Sequence, residues 1–160
     1  MDAIHLPPLQ EDFTDARRRW RLVITAVDGW RTPRSAAELF ELQGARQTLR
    51  WSRALPHEYR PRFAAVGSRG AVLLVDEWIN VTSRLALQLL DPTGRPLAQY
   101  GFDQLQSRLG VSAHAVASAA RWGTWVQALP QADAAGDRVR IGAAGRTLVV
   151  DLGDGSLSVE

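Results

Sequence analysis

The stretch that decides the fold is RFAAVGSRGAVLLVDEW, residues 62–78, together with its continuation RLALQLLDPTGRPLAQY, residues 84–100. Four short runs rich in Val, Leu and Ala are separated by turn residues. Each run is too short for a stable helix and long enough for a strand. Asp91-Pro92-Thr93-Gly94 is a strong turn, because proline presets φ at one position and glycine takes the left-handed one. The spacing predicts an antiparallel meander of four strands. The carboxylate pair Asp76-Glu77 and Trp78 sit at the end of its second strand, where an active site and a structural turn compete as explanations.

Working outward, WRLVITA (residues 20–26) alternates and ends at Asp28-Gly29, which predicts a strand. ELFELQGARQTLRW (residues 38–51) reads as a hairpin about Gly44. Ser35-Ala36-Ala37-Glu38 also fits a helix capping box, but the alternation of apolar positions favours strands. FDQLQSRLG predicts a helix with Asp103 as its cap, Gln106 completing the box and Gly110 as its stop. A second short helix starts at Ser112 and ends near Trp122-Gly123. Strands return in TWVQAL, RVRIGA, RTLVVDL and LSVE. Residues 1–16, with Pro7-Pro8 and no sustained period, read as a flexible arm. Residues 17–160 read as one β-rich domain, a size that can bury a core of its own.

GSRGAVLLVD (residues 67–76) and GAAGRTLVVD (residues 142–151) share G-x-x-G-x-x-L-x-V-D, which raises an internal duplication. A turn aspartate recurs for structural reasons, whereas a catalytic one has no reason to recur after the same strand. Asp76 is therefore read as a backbone-capping residue. Glu77 points to the opposite face of an unbulged strand, so the two carboxylates do not share a proton or flank one bond. Strand–turn–strand units of this form resemble the blades of β-propellers. The fold class expected is thus mainly β, in antiparallel meanders that are blade-like or form a partial sandwich or barrel. Two short helices are inserted near residues 103–122.

Composition narrows the chemistry. There is no cysteine, which excludes disulfides and thiolate chemistry. All 19 basic residues are arginine, which excludes lysine Schiff bases and a phosphate-loop lysine. Abundant Ala, Gly and Arg suggest GC-rich coding and a bacterial source. Without a leader-like N-terminus or an apolar run long enough to span a bilayer, a cytoplasmic protein with no membrane span is expected. Nucleotide, hydrolase and calcium motifs are absent, and Asp133 and Asp137 lack calcium-ligand spacing. No cofactor and no metal are expected. Asn80-Val81-Thr82 matches a glycosylation acceptor only formally, and His5 and His114 carry no motif.

Three functional readings follow. The first is a non-catalytic domain acting by protein contact or homo-oligomer formation. Its surface centres on Arg50, Trp51, Arg53, Tyr59, Arg60 and Arg62, residue types that dominate interface hot spots. On this reading, exchanging Arg53 and Arg60 for glutamate leaves the fold intact and weakens contact. The second is a small hydrolase using His57 with a carboxylate such as Glu77 or Asp76, with Ser52 within reach of the fold. Enzyme status is left open, leaning against catalysis. The third is nucleic-acid binding through Arg46 to Arg62, where five arginines face one glutamate. A formal net charge of only +2 disfavours it.

Overall fold

The computed structural model describes residues 5–78, 83–119 and 125–160. The candidate acceptor at Asn80–Thr82 and the helix end at Trp122-Gly123 lie outside these residues. Among the described residues, twelve strands form three four-stranded antiparallel sheets, each a meander in chain order. The first contains β1 (Gln10–Thr14), β2 (Trp20–Ala26), β3 (Ser35–Gln43) and β4 (Arg46–Ala54). The second contains β5 (Pro61–Val66), β6 (Val72–Glu77), β7 (Leu87–Leu90) and β8 (Pro96–Tyr100), the meander expected from residues 62–100. After α1 (Phe102–Leu109) and α2 (Ala113–Ala119), the third contains β9 (Ala128–Ala132), β10 (Arg138–Ala143), β11 (Arg146–Asp151) and β12 (Leu157–Val159).

The leading strands of the sheets are neighbours: β1 touches β5, and β5 touches β9. The sheets therefore fan from their first strands, in a blade-like arc rather than a closed barrel. Packing explains the sequence pattern of the middle sheet. Every residue of β6 and β7 is buried, because both faces are covered, and a strand covered on both faces shows a continuous apolar run instead of alternation. Val72, Leu74 and Leu90 pack with Leu22, Ile24, Leu39 and Trp51 of the first sheet. On the opposite face, Leu73, Val75, Leu87 and Leu89 pack with Ile141, Leu148 and Val150 of the third sheet and with Phe102, Leu105 and Leu109 of α1. The turns are tied into this core. Gly94 has φ +85° and lies under the Trp51 ring, where a Cβ would come within 2.7 Å.

The structure corrects three local expectations. Residues 10–14 are not part of an arm. They form β1, paired along its whole length with β2, and the alternation of exposed and half-buried positions places Glu11 and Phe13 inward. Asp103 does not cap α1. The preceding Gly101 is the N-cap, in an extended conformation, and its N–H donates to Gln104 Oε1 at 2.8 Å. Gly110 ends the helix in the left-handed conformation, as its type suggests. The last strand pair before β10 begins at Ala128 rather than with TWVQAL, and it accommodates Pro130 because β9 is terminal in its sheet. Ser112 does cap α2, its Oγ accepting the Ala115 N–H at 3.1 Å.

Both G-x-x-G-x-x-L-x-V-D segments enter a strand from a turn, with the second glycine left-handed in each, at Gly70 and Gly145. Their places differ. The first turn joins the leading two strands of its sheet, β5 and β6, and the second joins the middle two, β10 and β11.

Candidate functional site

The loop from β4 to β5, residues 55–60, carries His57, Tyr59 and Arg60 between the first and second sheets. Arg60 is 1% exposed. Its guanidinium forms an ion pair with Glu11 on β1 at 2.8 Å and donates through Nε to the Pro61 carbonyl at 3.0 Å. It also lies 5.8 Å from the ring centres of both Phe13 and Trp78. A buried arginine needs such compensation, because its charge has left water. Glu11 and Phe13 went unnoticed in the sequence, because a five-residue strand beside Pro7-Pro8 carries little intrinsic signal.

Beside it, Arg62 lies over the Trp78 ring at 4.6 Å and donates to the Trp78 carbonyl. Burial pulls its pKa below the ordinary arginine value, and the Asp76 carboxylate opposes that shift. Asp76 is 1% exposed and adopts φ +60°, a left-handed conformation inside β6 that aspartate tolerates better than most residues. It turns the strand end and places a negative charge by Arg62. Glu77 has different partners: it accepts the Glu58 N–H at 2.5 Å and the Ser83 hydroxyl. The two carboxylates thus serve separate structural contacts.

Asp76→Asn keeps a side chain that tolerates this backbone but removes the charge facing Arg62. The expected loss is about 2 kcal/mol, and Asp76→Ala loses roughly 1 kcal/mol more from the left-handed backbone. Urea melts of the two variants check the order; an unchanged midpoint for Asp76→Asn contradicts the assigned role.

His57 lies on a cleft of ≈ 600 Å³ with Ser35, Leu55, Glu58 and Glu77. It is 2% exposed, and neither ring nitrogen has a hydrogen-bond partner among the described residues. Burial pushes its pKa down to about 3. Among the described residues, no hydroxyl or carboxylate lies at hydrogen-bond distance from this imidazole, so no nucleophile–base pair is preformed there. Among the described residues, no group of three His, Cys, Asp or Glu is placed to hold a metal.

The remaining surface candidates divide. Trp51 is 9% exposed and packs in the first core. Tyr59 is half-buried against Trp30, with ring centres 5.5 Å apart. Arg53 donates to the Gly94 carbonyl, and exposed Arg50 pairs with Glu41. Trp51 and Arg60 therefore face inward, while Arg50 and the exposed Arg46 remain available at the surface. The cause is a β-bulge: Leu39 pairs with Trp51 but Phe40 with Leu49, so Arg50 is the extra residue.

No family model and no curated protein matches this chain. Among solved structures, it is similar to a crystal structure of HIRA(644-1017), with 14% identity and a TM-score of 0.52 over 97% of this chain. The chain spans 39% of the length of that structure. No helix among the described residues is long and apolar enough to cross a membrane. The chain is a β-rich domain with the fold of part of HIRA(644-1017).

Proposed function

We propose that this chain is a non-catalytic domain that acts by protein contact, self-association included. The observation that carries the reading is the β3–β4 hairpin. β2 begins at Trp20, opposite Glu41, and Glu41 pairs with Thr48, so residues 42–47 extend past it. Residues 46–50 are exposed at every position. A projecting ribbon bearing arginines, on a sheet whose inner face packs in the first core, is suited to recognition. The fold shared with part of HIRA(644-1017) supports a scaffold reading. A bacterial cytoplasmic setting, on composition, and one β-rich domain that begins with β1 rather than at residue 17 belong to the same proposal.

The hydrolase reading rests on His57, whose sealed, unpartnered ring does not favour it. Nucleic-acid binding retains Arg46, Arg50 and Arg53 but loses Trp51 and Arg60 to the interior.

The double variant Arg46→Glu/Arg50→Glu tests the reading. Light scattering of the purified protein and chemical cross-linking with mass spectrometry report assembly, with circular dichroism as the folding control. Charge reversal at a contact is expected to weaken assembly at least tenfold with the fold unchanged. Identical masses and identical cross-links in variant and wild type would refute self-association through this hairpin.

A further inference from the structure

The free side of β4 combines three properties that together specify a partner, on the reading of this hairpin as a protein-contact surface. First, β4 is terminal in its sheet and, among the described residues, pairs with β3 alone. Its nine residues exceed the five of β8 and the three of β12, the other strands that end their meanders on the same side. A terminal strand of that length presents a row of main-chain N–H and C=O groups that only water or another strand satisfies. Second, the stretch over residues 46–50 is exposed on both faces, so an added strand meets no steric wall there. The neighbouring part, residues 51–53, is held by the β7–β8 turn through Trp51 and Arg53. Third, β4 contains Arg46, Arg50 and Arg53 and no acidic residue, with Arg50 shared with Glu41 of β3 and Arg53 with the Gly94 carbonyl.

The charge decides the occupant. Two copies of β4 laid edge to edge bring arginine against arginine, which opposes pairing of this edge with itself. A nucleic acid offers phosphates to the arginines but no alternating donors and acceptors for the strand's main chain. An extended polypeptide carrying carboxylates on alternate residues supplies both. We infer that β4, over residues 46–50, is an acceptor edge for an acidic, extended segment of a different protein, which adds to the first sheet as a fifth strand.

Amide hydrogen exchange of wild-type protein distinguishes the occupants, using four probes. These are a synthetic peptide alternating Glu and Val, the same peptide with proline at every second position, its Lys–Val counterpart, and oligothymidylate. The Glu–Val peptide is expected to bind saturably and to slow exchange at amides of residues 46–50 by at least tenfold. The proline peptide, which keeps N–H donors at every other residue only, is expected to protect less, and the Lys–Val peptide to give no protection. Arg46→Glu/Arg50→Glu weakens the Glu–Val peptide at least tenfold. Absence of protection at β4, or equal binding by the proline peptide or by oligothymidylate, overturns the inference. If assembly responds to the arginine reversals while β4 amides stay unprotected, contact uses the hairpin's faces and the broader functional reading survives without the added strand. If the Glu–Val peptide protects β4 but assembly ignores the reversals, the edge inference stands and the contact proposed for the purified protein falls.

Discussion

Lowering the pH from 7 to 4 is expected to remove about 3 kcal/mol of stability through His57 alone. The folded chain holds this imidazole neutral, with its pKa pushed down from 6.5 to about 3 by burial. In the unfolded chain the same group takes up a proton near pH 6.5. Between those values the unfolded state binds more protons than the folded state, so stability rises with pH. The contribution is complete above the unfolded pKa. It is lost progressively as pH falls below 6.5 and is fully lost near 3. At 1.36 kcal/mol per unit, the part of the window above pH 4 yields the figure quoted. Several aspartates also have depressed pKa values: Asp91 through the Thr93 hydroxyl, Asp28 through the Thr32 N–H, Asp133 through the Asp137 N–H and Asp154 through the Ser156 N–H. They too favour the folded state at higher pH. Their contributions begin to fade near pH 5, as carboxylates start to protonate, so the interval from about 6.5 to 5 isolates the histidine and comparison with a His57 variant subtracts the rest. His57→Leu should keep stability near neutrality and flatten the slope in that interval. Urea midpoints at pH 6.5, 5.5 and 4.5 provide the measurement. A wild-type midpoint that does not move over this range sinks the assignment, and so does a variant with the wild-type slope.

Arg60→Glu is expected to cost roughly 3–5 kcal/mol, the range for an uncompensated charge at a buried ion pair, a large fraction of the roughly 5–15 kcal/mol by which a domain is ordinarily stable. The new carboxylate would face Glu11 and lie between the rings of Phe13 and Trp78, which attract cations and not anions. Arg60→Met is milder, under about 2 kcal/mol. It removes the buried charge together with its desolvation, and Glu11 is 36% exposed and able to hydrate. Arg46→Glu, on the exposed hairpin, stays within about 0.5 kcal/mol. The sequence expectation that Arg53 and Arg60 are exchangeable surface charges is thus corrected for Arg60. Denaturation midpoints of the three variants give the ranking. If Arg60→Glu proves no worse than Arg60→Met, like-charge burial is not the governing term.

Strands, turns and helix stops were legible in the residues because they depend on local rules. Period-two alternation marked β2 and the β3–β4 hairpin, Asp91-Pro92-Thr93-Gly94 marked the turn before β8, and Gly110 marked the end of α1. The continuous apolar run of β6 implied a strand but not why it lacked alternation. That reason is tertiary: the middle sheet is covered on both faces. The sequence placed Arg50, Arg53, Arg60 and Arg62 in one basic tract, and composition alone treats them alike. A bulge at Leu39–Phe40, the loop at residues 55–60 and the ion pair with β1 sorted them into surface and core. β1 itself was read as an arm because five residues next to Pro7-Pro8 carry little intrinsic signal, and their strand conformation comes from pairing with β2. The sequence by itself determined the β-rich class, the strand and turn positions, and a chemistry without thiols or lysines. Only the tertiary structure decided which arginine is buried, that His57 is held neutral, and which strand edge stays open, because each depends on contacts between residues far apart in the chain.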